Sequence, residues 1–128
     1  ERYLFFGRAA AKFDDIANYL PGRLTGIVLC AAAILLGHGR RAWSIMVRDA
    51  RKHPSPNSGY AEAAVAGALG VQLGGVNCYH GFLSRRPFMG DALESLSRKH
   101  IIRTILLMLT ATIIFSFSGS LFLSFISF

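Results

Sequence analysis

Two short stretches concentrate the side chains able to do chemistry. In FDDIANYLPGR (residues 13–23), the adjacent carboxylates Asp14 and Asp15 are oxygen donors of the kind that bind Mg²⁺. Water and substrate phosphates usually complete such a shell. Asn18 lies one turn on, on the same helical face as one of the two. Arg23 presents a planar fork suited to a phosphate or carboxylate. The plainer reading is a solvated helix start with an acidic turn and an arginine beside a membrane.

The second stretch is RKHPSPNSGYAEAA (residues 51–64), with Arg48 and Asp49 just upstream. Arg48, Arg51, Lys52 and His53 place strong donors on one short segment. Pro54 and Pro56 hold the backbone extended, so little entropy is lost when a ligand orders it. Asn57 and Ser58 precede a predicted helix start, where free N–H groups and the helix dipole favour an anion. A phosphate or carboxylate cradle fits this pattern, and so does an arginine-rich headgroup anchor followed by a capped helix. A third stretch, GALGVQLGGVNCYHG (residues 67–81), is glycine-rich but matches neither GxGxxG nor GxxxxGK[ST]. Cys78, His80 and His53 are too few and too irregular for zinc. Cys78 with His80 lacks a third group to orient a nucleophile pair.

These stretches sit in an apolar chain. Of 128 residues, 52% are hydrophobic and 16% charged, and the mean hydropathy is +0.41. That is far fewer charges than a soluble domain carries and predicts a membrane protein. The net charge of +7 is unevenly placed: ten Lys/Arg against four acids lie between Arg40 and Arg103, and no charge follows Arg103. This is the pattern of a basic cytoplasmic loop rather than of a nucleic-acid binder. Cys30 and Cys78 are expected to be free thiols. The chain starts at Glu1 and shows no signal-peptide pattern, so it is expected to be the C-terminal piece of a longer, single membrane-embedded domain.

The predicted elements are helices. Residues 104–128 carry no charge and as a helix reach about 37 Å, enough to span a bilayer. Residues 24–39 reach only about 24 Å, which points to a short or re-entrant segment with Pro21 in its first turn. Residues 40–52 are amphipathic, with Trp43, Met46, Val47 and Ala50 on one face and Arg41, Arg48 and Lys52 opposite. Another helix is expected from near Tyr60 to Gly74–Gly75. It carries a small-residue stripe of Ala66, Gly70 and Gly74. VNCYHG reads as a turn and residues 84–103 as a polar helix. The expected fold is all-α: an integral membrane helical protein with a cytoplasmic basic loop and amphipathic or re-entrant helices.

DDIANYLPGRLTG and RDARKHPSPNSGYAEAAVAGALGVQLGGVNCYHG resemble the adenosylcobinamide-phosphate synthases, membrane proteins of cobalamin (vitamin B12) biosynthesis. The likeness falls in two blocks between Phe13 and Gly81. Tyr60–Ala61 and Val76 depart from it where prolines are common. The resemblance implies an amide-forming carbon–nitrogen ligase in the inner cell membrane, multi-pass, with its active loop cytoplasmic. It implies ATP-dependent joining of cobyric acid (adenosylcobyric acid) to aminopropanol or aminopropanol phosphate, giving cobinamide or its phosphate. The implied ligands are ATP, Mg²⁺, the corrinoid and the amine. Membrane lipid and other cobalamin-pathway enzymes are candidate partners, and nucleic acid is not. Activating a carboxylate needs metal and phosphate-binding cations, and the amine needs a base. Asp14 and Asp15 are then candidates for the metal. Arg23, Lys52, Ser55, Asn57, Ser58 and Asn77 are candidates for phosphate or substrate. Asp49, His53 and Glu62 are candidates for acid–base or orienting roles.

Two other classes fit the residues: a membrane carrier for an anionic intermediate, and a structural subunit whose basic loop meets anionic lipid. If the two blocks form one site, residues 24–39 cannot carry them to opposite sides of a membrane. A re-entrant segment or an amphipathic return is required.

Overall fold

The computed structural model describes residues 2–79 and 81–127. Helix α1 (Arg2–Ala17) breaks at Asn18, and α2 (Tyr19–Leu35) continues at a bend of 45°. Pro21 falls in the first turn of α2, where a missing N–H costs nothing. At the other end Gly37 takes φ +79°, which lets the N–H groups of Gly37 and His38 return to the carbonyls of Ile34 and Ala33. This turn sends the chain back along α3 (Gly39–Asp49) and a 3₁₀ turn (Ala50–Lys52). The chain thus runs out along α2 and returns along α3, and the two motif blocks end at the same place. That is the amphipathic return the sequence requires.

Pro54 and Pro56 stop the helix, and α4 (Ser58–Leu69) follows. It ends one turn earlier than expected because Gly70 adopts the left-handed conformation, φ +68°. Arg41 then donates to the carbonyls of Gly67 (2.6 Å) and Ala68 (3.0 Å) at the helix end. The expected stripe of Ala66, Gly70 and Gly74 therefore does not exist, since Gly70 and Gly74 lie beyond the helix. Close packing is made instead by Gly67 against α3 and by Gly59 against the 3₁₀ turn and His53. A Cβ on Gly67 would stand 2.8 Å from the Ala42 Cα. The core joins Leu29, Ala32 and Ala33 of α2 to Ala42, Ile45 and Met46 of α3 and Ala63, Ala64 and Ala68 of α4. Of the predicted apolar face of α3 and its continuation, Met46 and Ala50 are buried. Trp43 and Val47 are exposed, while Ala42, Ile45 and Asp49 are buried. Its small-residue side is the one that fits against α4.

The all-α expectation fails at residues 73–97. Strands β1 (Leu73–Tyr79) and β2 (Phe82–Met89) pair antiparallel, Val76 opposite Arg85 and Cys78 opposite Leu83. Residues 84–89 are strand, not helix. Pro87 would break a helix, and it is tolerated in a strand that pairs on one side only. Gly74 (φ +107°) and Gly75 (φ +88°) accommodate the register shift at the base of the hairpin. Cys30 and Cys78 are free, as expected.

After the hairpin, Leu93 and Glu94 donate to the Gly70 carbonyl (3.1 and 2.9 Å), and Ser97 caps α5 (Arg98–Ile126) in a capping box with His100. The helix starts at Arg98, so Lys99 and Arg103 lie inside its first turns. There they face the Glu94 carboxylate at 2.7 and 3.6 Å. Lys99 holds the Glu94 carboxyl below its usual range. Among the described residues α5 is the one single helix long and apolar enough to cross a membrane; residues 7–17 with α2 pass the same test as a bent pair.

Candidate functional site

Where α1, α2 and the loop before α4 meet, a polar cavity of about 260 Å³ is lined by Asp14, Asn18, Ser55, Asn57 and Ser58. Pro21, Gly22, Thr25 and Ala61 complete its wall. The two sequence blocks are thus brought together through the tertiary fold. Asn18 Nδ2 donates to the Asp14 carbonyl (3.0 Å) and to Asp14 Oδ1 (2.9 Å), bridging the helix break. Asn57 Nδ2 donates to the Asp15 carbonyl (2.8 Å), and its Oδ1 accepts weakly from Arg23 (3.4 Å). Gly22 permits this contact: a Cβ there would lie 3.0 Å from the Asn57 carbonyl oxygen and 3.1 Å from its Cβ.

Asn57 stands at the N-cap position of α4 but makes no capping bond with its side chain. Ser55 does that work, its Oγ lying 3.4 Å from the N–H groups of both Asn57 and Ser58. Arg23 does not point freely at a ligand. Its guanidinium donates to the Tyr19 carbonyl (2.6 Å) and stacks on the rings of Tyr19 (3.3 Å to centroid) and Tyr60 (4.6 Å). Both tyrosines escaped the sequence reading. The i, i+4 spacing of Tyr19 and Arg23 was the available signal for one of them.

His53 lies behind the loop. Its Nδ1 accepts the Ser55 N–H (2.9 Å), which places the proton on Nε2, 3.3 Å from Glu62 Oε2. Neither residue lines the cavity. Asp49 is also elsewhere. Fully buried, it accepts two bonds from Arg48 (2.7 and 2.8 Å), pairs with Lys52 (2.7 Å) and accepts the Gly90 N–H (2.8 Å). Lys52 is therefore turned toward Asp49. Arg48 also reaches Asp91 at 2.9 Å. Asn77 is exposed on β1 opposite Ser84, apart from the cavity. His80 lies outside the described residues.

The hydrogen bonds from Arg48, with those from Lys52 and Gly90, hold the Asp49 carboxyl well below the usual carboxylate range. Such a group is a poor base at neutral pH; it anchors the hairpin to α3. Because its folded-state pKa is depressed, its contribution to stability is complete above the unfolded value of about 4 and is lost as the pH falls below it. The thermal midpoint should therefore hold level down to about pH 4 and then decline. Asp49→Asn should lower the neutral midpoint and flatten the acid decline. An unchanged acid limb in that variant would remove Asp49 from the account.

Of the adjacent Asp14 and Asp15, Asp14 is the one that lines the cavity. The backbone carbonyl of Asp15 accepts from Asn57 Nδ2. Among the described residues no group of three or more His, Cys, Asp or Glu converges as a metal site.

The family model for CobD/Cbib protein matches residues 1–108. Proteins called cobalamin biosynthesis protein CobD are similar to the chain. That of Geobacter metallireducens is 59% identical over 97 residues, covering 75% of this chain and 30% of the relative. The Leptospira interrogans protein is 45% identical over 115 residues, 89% of this chain and 36% of the relative. For Listeria monocytogenes the identity is 43% over 125 residues, 96% of this chain and 40% of the relative. The chain thus spans roughly a third of the length of the curated relatives it matches. No solved structure matches it. With the two motif blocks meeting at one cavity, and with a match over residues 1–108, the chain belongs to the CobD/Cbib protein family.

Proposed function

We propose that the protein acts in cobalamin biosynthesis as part of a membrane-bound, ATP-dependent amide ligase. It joins the carboxylate of cobyric acid to aminopropanol or aminopropanol phosphate. The observation that carries this reading is the meeting of residues 13–23 and 51–58 at one polar cavity, in a chain similar to proteins named for cobalamin biosynthesis. ATP, when bound, supplies the activation of the carboxylate.

This chain's own residues bind and orient. Ser55, Asn57 and Ser58 present hydroxyl and amide groups at the start of α4, beside Asp14. The His53–Glu62 pair holds Ser55 by its amide and so fixes the loop. Both nitrogens of His53 are engaged, which fits a positioning role better than proton abstraction. Glu62→Gln weakens the hold on Nε2, and kcat/KM should fall about tenfold, roughly 1.4 kcal/mol of transition-state stabilisation. The pH profile should keep its shape. A new or lost pKa in that profile would instead make the pair an acid–base group.

The deciding assay supplies the intact protein with cobyric acid, ATP and each amine in turn. Amide formation coupled to ATP consumption is the expected result. Binding of the corrinoid with no amide and no ATP use would make the protein a carrier.

A further inference from the structure

The hairpin of β1 and β2 is open on both faces. Residues directly opposite each other in an antiparallel pair point to the same side, and neighbours along a strand to opposite sides. One face therefore carries Val76, Cys78, Leu83 and Arg85, and the other Asn77, Phe82, Ser84 and Arg86. Phe82 is 79% exposed, Leu83 73% and Val76 59%. Arg85 and Arg86 are exposed as well. A two-stranded hairpin with its apolar side chains in water is poorly stabilised, so this one is built to be covered.

The order of side chains from the turn to the base identifies the cover. Phe82 and Leu83 stand nearest the turn, one on each face. Arg85 and Arg86 follow, again one on each face, about 10 Å further along. No carboxylate occurs between Leu73 and Gly90. A groove on a protein partner meets one face of a hairpin, and acidic groups on one side of it would reach only one of the two arginines. A headgroup layer surrounds an inserted tip on every side, with phosphates at one depth and acyl chains below them. A bilayer is also close by. Helix α5, long and apolar enough to cross one, starts at Arg98. Leu93 and Glu94 bond to the Gly70 carbonyl, which holds the approach to α5 at the end of α4 where the hairpin begins.

We propose that the hairpin dips its tip into the interface of a bilayer containing anionic lipid. Phe82 and Leu83 lie below the phosphates, and Arg85 and Arg86 lie among them. The open strand edges limit the depth, because unpaired backbone groups are not tolerated in hydrocarbon. The Asp49 carboxylate accepts the Gly90 N–H at the base of the hairpin, so the contact ties the helical core to the membrane at a second place besides α5. This anchoring is independent of the reaction proposed above.

Cys78 is exposed and free, and it lies opposite Leu83, where a probe reports directly on the tip. The intact protein, with Cys78 as its one remaining thiol, is spin-labelled and placed in nanodiscs of phosphatidylcholine with or without phosphatidylglycerol. Collisions with oxygen, which concentrates among acyl chains, are compared with collisions with a water-soluble nickel chelate. In the anionic discs oxygen should dominate, with the label about 5–10 Å below the phosphates. Arg85→Gln combined with Arg86→Gln should lower the ratio of inserted to free hairpin about 25-fold there, roughly fivefold for each arginine. The same pair should change nothing in the neutral discs. Phe82→Ser combined with Leu83→Ser should return the label to water. All four side chains are exposed, so the thermal midpoint should not move. A label reached by nickel in the anionic discs overturns the proposal. So does a label shielded from both oxygen and nickel, which would mean that another protein segment covers the hairpin. Equal insertion in neutral and anionic discs, untouched by the arginine substitutions, overturns the preference for anionic lipid.

Discussion

Gly59→Ala should destabilise the protein by about 3 kcal/mol, the upper end of the usual cost of overpacking. A Cβ at position 59 would fall inside contact distance of the Ala50 carbonyl oxygen and 2.8 Å from the His53 Cβ. Neither neighbour is the free end of a flexible side chain. The 3₁₀ turn would have to move off α4, taking His53, Ser55 and the loop with it. Activity should fall further than stability alone explains, because the displaced segment lines the cavity. Gly7→Ala in α1 is the control. Nothing lies within 4 Å of the added methyl, so that variant should gain roughly 0.5–1 kcal/mol from helix propensity. Thermal unfolding of both proteins in detergent gives the comparison. Similar midpoints for the two would mean that the 3₁₀ turn and α4 are not packed as closely as described.

Asn57 provides the second test, through the order of its variants. A residue that only caps a helix ranks Asn and Asp alike, with Ala well below. The contacts of Asn57 predict another order. Its Nδ2 donates to the Asp15 carbonyl inside a site where Asn57 is 7% exposed. In Asn57→Asp an oxygen replaces that donor and faces the carbonyl oxygen. The loss should be about 2–4 kcal/mol, larger than the roughly 1–3 kcal/mol expected for Asn57→Ala. The attraction between the new carboxylate and Arg23 offsets only part of this, because Arg23 is already held by Tyr19 and Tyr60. The latch between the α1–α2 junction and the loop would open in both variants, and the proposed cobinamide-forming activity should fail in both. An Asn57 that binds an anion, one reading its place in the sequence allows, predicts instead a folded but inactive Asn57→Asp protein. Asp at least as stable as Asn would restore that expectation.

The helices were legible because their signals are local. Residues 40–52 show a period of 3.6, Pro54 and Pro56 forbid continuation, and residues 104–128 have no charge to stop a long apolar helix. The out-and-back course of residues 19–52 was also foreseeable, since a short apolar segment between two polar blocks leaves few other ways to bring them together. The hairpin was not. Residues 73–89 are stabilised by pairing between two segments and by Asp49, 41 positions away from Gly90, and no local period announces such contacts.

Composition and spacing by themselves determined that this is an apolar, mostly helical chain with most of its candidate binding residues in residues 13–23 and 48–62. They determined too which residue types were on hand for binding. Only the tertiary structure decided which of those residues act together. Asp14 and Asp15 are neighbours in sequence, yet a helix rotates successive side chains by about 100°, so one lines the cavity and the other does not. Asp49 and His53 lie four residues apart around a turn, yet one anchors a hairpin and the other braces a loop. Arg23 reads as a free cation until Tyr19 and Tyr60 close on its two sides. A side chain's role depends on the charge and hydrogen-bonding groups that surround it, and most of those arrive from distant parts of the chain.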